Sequence, residues 1–209
     1  MEFLRLKHLL LFIGIQVFML PIAQGQNYKI LQEAFSTSYS QEAAGNYSGA
    51  IETLKAVYDE DSYELNLRLG WLHYSAGLFT ESLAYYGKSI KLMPYAVEAR
   101  MGYALPASAM GNTEMVKAQF SEILKIDPQN SNANYKMGTL YYGKGDYATA
   151  EKYFEKILNL WPFDFDALLM SGWTKLKQGK FREAEVLFNK ALLNRPNNSS
   201  ALEGLGLIK

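Results

Sequence analysis

Four prolines set the frame for this chain: Pro94, Pro128, Pro162 and Pro196 stand 34 residues apart. The chain has only six prolines, and the other two are Pro21 and Pro106. Gly77, Gly111, Gly145 and Gly179 keep the same interval. Gly70, Gly138, Gly172 and Gly206 keep it too, with Ala104 filling the gap, and Tyr86, Phe120, Phe154 and Phe188 form a fourth register. Four registers on one period define a repeat array, in which each copy is one supersecondary unit that needs its neighbours to bury an apolar face.

Each register has a physical role within a helical hairpin. Gly138 and Gly172 on a first helix are expected to face Ala150 and Ala184 on a second, so that the axes approach to ~8–10 Å. Gly111 and Gly145 suit the left-handed residue that closes a first helix. Asn46, Asn112 and Asp146 follow where the second helix needs an N-cap. The aromatic register fills the core between hairpins, and the prolines end each second helix.

The period and its residues resemble the tetratricopeptide repeat family. The fullest copy, 131–164, carries Gly138, Tyr141, Gly145, Ala150, Phe154 and Pro162 in the family's positions. Further copies run over 63–96, 97–130 and 165–198, and a weaker one over 31–62 keeps Gly45, Tyr47 and Ala50 without a proline. The resemblance implies an all-α fold: a right-handed superhelical solenoid of stacked antiparallel helix hairpins, about five repeats plus a C-terminal capping helix over 199–209. Leu202, Leu205, Leu207 and Ile208 make that cap apolar. It either packs fully on the fifth repeat or offers a self-association surface.

The first 25 residues read differently. Arg5 and Lys7 precede an apolar run from Leu9 to Leu20, Pro21 ends the run, and Ala23 and Gly25 place small residues before Gln26. This is the layout of a secretory signal peptide, and the run is shorter than the ~20 apolar residues of a membrane span. An uncleaved anchor is the alternative. The expectation is an exported chain, periplasmic or secreted after cleavage near Gly25/Gln26, with a mature domain over 26–209 that holds no transmembrane segment.

Charge and chemistry narrow the function. Lys+Arg and Asp+Glu are both 21, which does not suit a nucleic-acid partner or a polybasic membrane patch. There is no cysteine, so thiolate catalysis and Cys-based zinc sites are excluded. The stretch Gly138–Gly145 imitates a phosphate-binding loop, but it lacks the final Ser or Thr and falls inside an expected helix. His73 is the only histidine after the leader and reads as a core or edge residue. The carboxylates are scattered. No catalytic, metal or cofactor site is expected, and the chain is not read as an enzyme.

In the family the first helix of each repeat lines a concave groove, with partner contacts at positions 2, 5, 9 and 12. Carried over, the partner-binding set begins with Phe35 and Tyr39, then Leu67, Trp71 and Tyr74 beside Glu64. The third repeat supplies Met101 and Leu105 beside Glu98 and Ser108. The fourth supplies Tyr135 and Tyr142 with Thr139. Leu169, Trp173 and Leu176 with Asp166 complete it. This lining departs from the Lys/Asn/Arg clamp by which some members hold a C-terminal carboxylate. It suits a partner helix or an extended apolar segment, with Tyr and Trp as anchors.

Two irregularities stand out. Pro106 falls mid-helix in the third repeat, where it either kinks that helix or marks an early end. The turn Leu160–Phe165 carries three aromatics, fit either for a second contact edge or for packing between repeats. The leading expectation is a scaffold or adaptor for other proteins of the cell envelope. The alternative is a glycan-binding or polysaccharide-export module in which Trp71, Tyr74, Tyr142 and Trp173 stack on sugars.

Overall fold

The fold comes from a computed structural model that describes residues 28–208. The expected export signal over 1–25 lies outside the described residues. The described part is all-α, with eleven helices in antiparallel pairs: α1 (28–43), α2 (Tyr47–Lys55), α3 (Tyr63–Ser75), α4 (Phe79–Leu92), α5 (Val97–Ala109), α6 (Thr113–Ile126), α7 (Ser131–Gly143), α8 (Tyr147–Leu160), α9 (Phe165–Lys177), α10 (Phe181–Asn194) and α11 (Ser199–Gly206). They fall into two compact units, divided between Pro94 and Tyr95. No described helix is long and apolar enough to cross a membrane.

The turn chemistry sets the hairpins. Gly45, Gly77, Gly111, Gly145 and Gly179 all sit at φ between 72° and 78°, the left-handed region that costs glycine least. Asn46, Asn112 and Asp146 then cap the second helix, each side chain accepting at 3.0 Å from the amide three residues on. At the far end, Met93, Asp127, Trp161 and Arg195 leave helical geometry at φ −128° to −135°. Each precedes a proline, whose ring disfavours the helical region for the residue before it. The first repeat has no proline there, and α2 stops at Lys55, five residues earlier in register than its counterparts.

In the first unit, α3 and α4 form a hairpin and α2 packs on α3. Ala34, Ala50, Leu54, Leu65, Leu69 and Leu72 are the buried centre. His73 is buried there, its Nδ1 2.7 Å from the Leu69 carbonyl and its ring 4.8 Å from Tyr85, as a core histidine. In the second unit, α5–α6, α7–α8 and α9–α10 are the hairpins, and α6 packs on α7, α8 on α9 and α10 on α11. Phe154 and Phe188 are fully buried.

The small-residue register works differently from the sequence expectation. A Cβ on Gly138 would lie 2.6 Å from the Phe154 ring, one on Gly172 2.7 Å from Phe188, and one on Gly70 2.9 Å from Tyr86. The glycine makes room for the aromatic of its own hairpin, and that ring, not Ala150 or Ala184, is what lies nearest it. Gly206 holds the same register in α11 but faces open space; Gly204 meets Phe188 instead.

Pro106 is buried within a continuous α5, so the reading in which the helix ends early is overturned. The turn after α8 is divided: Trp161 and Phe163 are exposed, whereas Phe165 is buried in the core. Asn66 and Asn134, fully buried, were not anticipated. Each donates from Nδ2 to two carbonyls of the preceding turn, Glu60 and Ser62 or Pro128 and Asn130, at 2.7–3.1 Å. Their shared register, two periods apart, was the available signal.

Candidate functional site

In the first unit the expected groove residues come from α1 and α3 and meet around one charge. Arg68, only 8% exposed, lies between the two helices. Its guanidinium stacks 3.9 Å from the centre of the Tyr39 ring. Its Nε donates to Ser38 Oγ at 3.1 Å, and it pairs with Glu42 at 2.5 Å. Trp71 Nε1 donates to the other Glu42 oxygen. Burial pushes the Glu42 carboxyl up, but the bonds from Trp71 and Arg68 outweigh it and hold the group below its ordinary range. Trp71 in turn packs on Tyr74, 5.8 Å between ring centres, and Tyr74 on Phe79 at 6.0 Å.

Tyr39 and Trp71 therefore combine fixed positions with open faces: they are 55% and 38% exposed. Leu67 is half-buried between them in sequence. Phe35 and Glu64 line a neighbouring cleft of about 660 Å³ with Tyr28, Leu31 and Val57, beside the early end of α2. Arg68, Glu42 and Ser38 were not singled out from sequence, because a charged residue on a helix is by default a solvated one.

In the second unit the expected residues are mostly engaged by their own fold. On α5, Leu105 is exposed and Met101 half-buried, with Glu98 and Ser108 exposed. On α7, Tyr135 packs against Phe154 at 6.0 Å, and Tyr142 packs edge-on against Tyr147 at 5.4 Å. The Thr139 hydroxyl donates to the Lys136 carbonyl. On α9, Leu169, Trp173 and Leu176 pack on the core around Phe188, and Asp166 is exposed. Trp173 stands edge-on to Phe188 at 5.4 Å and donates from Nε1 to Ser200 Oγ of the cap helix at 2.9 Å. Of the four rings named for sugar stacking, Trp71 alone is exposed.

The cap helix buries Ala201 and Gly204 and turns Leu205 and Ile208 onto the α9–α10 core, while Leu202 and Leu207 remain exposed. Among the described residues, no group of three His, Asp or Glu side chains is placed to hold a metal ion.

Hairpins of two helices, joined by a left-handed glycine and stacked second helix on first, define an α-helical repeat protein whose side chains present surface to other chains. The tetratricopeptide repeat family matches at residues 37–105 and again at 129–197, between them most of the chain. The chain belongs to that family of protein–protein interaction scaffolds. It is similar to DnaJ homolog subfamily C member 3 of Gallus gallus, 31% identical over 107 residues, 51% of this chain and 21% of that protein. The chain thus spans about a fifth of the length of that relative. Among solved structures, a tetratricopeptide repeat protein from Parabacteroides merdae superposes with a TM-score of 0.75 at 25% identity, covering 86% of this chain and 72% of that one. YrrB, described as a TPR protein with an unusual peptide-binding site, superposes at 0.66 with 12% identity, over 81% of this chain and 89% of its own, a likeness of fold.

Proposed function

We propose that this scaffold is an exported adaptor of the cell envelope, periplasmic or secreted, which binds a helix or an extended apolar segment of another envelope protein. The observation that carries the binding reading is the aromatic shelf of Tyr39 and Trp71, held in place by the Arg68–Glu42 pair yet open on one side. Rings already fixed before binding lose little side-chain freedom on contact, and Trp and Tyr carry a large share of interface energy. That YrrB has a peptide-binding site on a similar fold supports the same class of ligand. The export reading is supported by the basic, apolar and small-residue order of residues 1–25.

The test places a photo-crosslinking residue at position 67 in the producing cell. Discrete adducts are expected that disappear in Trp71→Ala, with a loss of about 2 kcal/mol or more in affinity for the captured protein. Adducts unchanged by Trp71→Ala would sink the shelf as the binding face. Mass spectrometry of the purified protein tests export: an N-terminus at Gln26 is expected, and an intact leader in the envelope fraction counts against cleavage.

A further inference from the structure

The second unit carries another concave feature that the groove does not use. A cleft of about 470 Å³ opens between α8, α9 and α10. Leu158, Val186 and Leu187 form its apolar wall. Its charges come from Glu151 and Glu155 on α8, Lys175 on α9, and Arg182 and Glu183 on α10.

Lys175 and Lys180 are already committed. Lys175 is paired with Glu151 and, at 2.5 Å, with Glu183. Gln178 and Lys180 donate to the second oxygen of Glu151 at 2.7 and 3.3 Å. Glu155, one helical turn beyond Glu151 and exposed, has no cation within ion-pair distance among the described residues. Burial, and then the Glu151 charge, push its carboxyl above the ordinary range, and the Lys175 and Lys180 charges offset this only in part. Arg182 is not among the charges that act on it.

Ser171 is the independent observation. It lines the same cleft, is only 6% exposed, and its hydroxyl has no hydrogen-bond partner among the described residues. Buried hydroxyls are ordinarily bonded, and one that is not is destabilising until a partner reaches it. A guest that donates protons to Ser171 Oγ and carries positive charge to Glu155 answers both deficits. A guest with an alkyl stem also covers Leu158 and Leu187, as lysine and arginine side chains do when their heads stay polar.

We propose that the α8–α10 cleft is a second protein-binding site, which takes a lysine or arginine side chain of a partner segment, its head on Glu155 and Ser171 and its stem along Leu158 and Leu187. The site is separate from the Tyr39–Trp71 shelf and stands without it. It would select partner segments in which a basic residue lies beside apolar ones, with Val186 taking the apolar neighbour.

The probe is the end-blocked tripeptide Leu-Lys-Leu, titrated into the isotope-labelled protein and followed by amide chemical shifts, with Leu-Gln-Leu as the uncharged control. Saturable shifts are expected at Glu155 and Ser171 with the lysine peptide, and binding about fivefold or more weaker for the glutamine peptide, since a charge-assisted bond is lost. Glu155→Gln, at an exposed position that leaves helix content intact by circular dichroism, should weaken the lysine peptide by a similar factor. Trp71→Ala should leave these shifts unchanged, so that failure of the shelf and failure of the cleft are told apart. Equal shifts with both peptides, no saturable shift, or undiminished binding in Glu155→Gln would overturn the proposal.

Discussion

The Phe188 ring lies against Gly172 so closely that a single added carbon on the glycine would stand 2.7 Å from it. From the other side Gly204 of the cap helix meets the same ring, where a Cβ would lie 2.3 Å away. Phe188 is thus held between its own hairpin and the cap, with no exposed surface. Gly172→Ala should therefore destabilise by roughly 1–3 kcal/mol, because the overpacking outweighs the better helix propensity of alanine. Gly206→Ala, whose Cβ meets nothing within 4 Å, is the matched control and should be neutral or stabilising by up to ~1 kcal/mol. Urea unfolding midpoints compare the two.

Trp173 anchors the cap through Ser200. Trp173→Phe keeps most of the ring packing on Phe188 but removes the bond from Nε1. The amides of α11 should then exchange about five- to tenfold faster, the equivalent of one ordinary hydrogen bond, while α3 and α4 are unaffected. Ser200→Ala should reproduce the effect. Unchanged α11 protection in both would mean that the apolar contacts of Ala201, Gly204, Leu205 and Ile208 hold the cap without that bond.

The Glu42–Arg68 pair should be costly to break. Arg68 is 8% exposed and Glu42 22%, so Glu42→Ala leaves a nearly buried guanidinium without its carboxylate and Trp71 without its acceptor. A loss of roughly 2–3 kcal/mol is expected in thermal or chemical unfolding. Glu64→Ala, an exposed position on the helix that carries Arg68, should stay within about 0.5 kcal/mol.

Acid should weaken the second unit through Glu151. Burial raises its carboxyl, but bonds from Lys175, Gln178 and Lys180 outweigh that and hold it at about 2, against an ordinary 4.5. Between those values the unfolded chain binds the proton and the folded one does not. The contribution is present above pH 4.5 and is lost as the pH falls toward 2. Its size is at most about 3.5 kcal/mol, at ~1.4 kcal/mol per unit. Glu151→Gln should flatten the stability profile in that window. In the first unit His73 gives a loss that begins higher: burial lowers it from its ordinary 6.5, so stability falls as the pH drops below that value.

Much of the fold was legible in the sequence, because its determinants are local. A left-handed turn position favours glycine, the residue before Pro94, Pro128, Pro162 or Pro196 leaves the helix although Leu105 before Pro106 does not, and a carboxamide or carboxylate after the turn caps the next helix. These rules act within a few residues, so Gly145, Asp146 and Pro162 announce a turn, a cap and a stop wherever they occur. The missing proline of the first repeat was visible too, although the cleft beside the shortened α2 was not.

The state of each residue expected to line a groove was decided by the tertiary structure. Trp71 and Trp173 hold the same position in their repeats, yet Trp71 is open over Glu42 while Trp173 is tied to Ser200 and pressed on Phe188. Repeat position says which way a side chain leaves its helix. It does not say what a neighbouring helix puts in front of it. Likewise the spacing of Gly138 called for a small residue, but only the packed hairpin shows that the space belongs to Phe154. Ser171 of α9 and Glu155 of α8 line one cleft, a juxtaposition that no interval along the chain records.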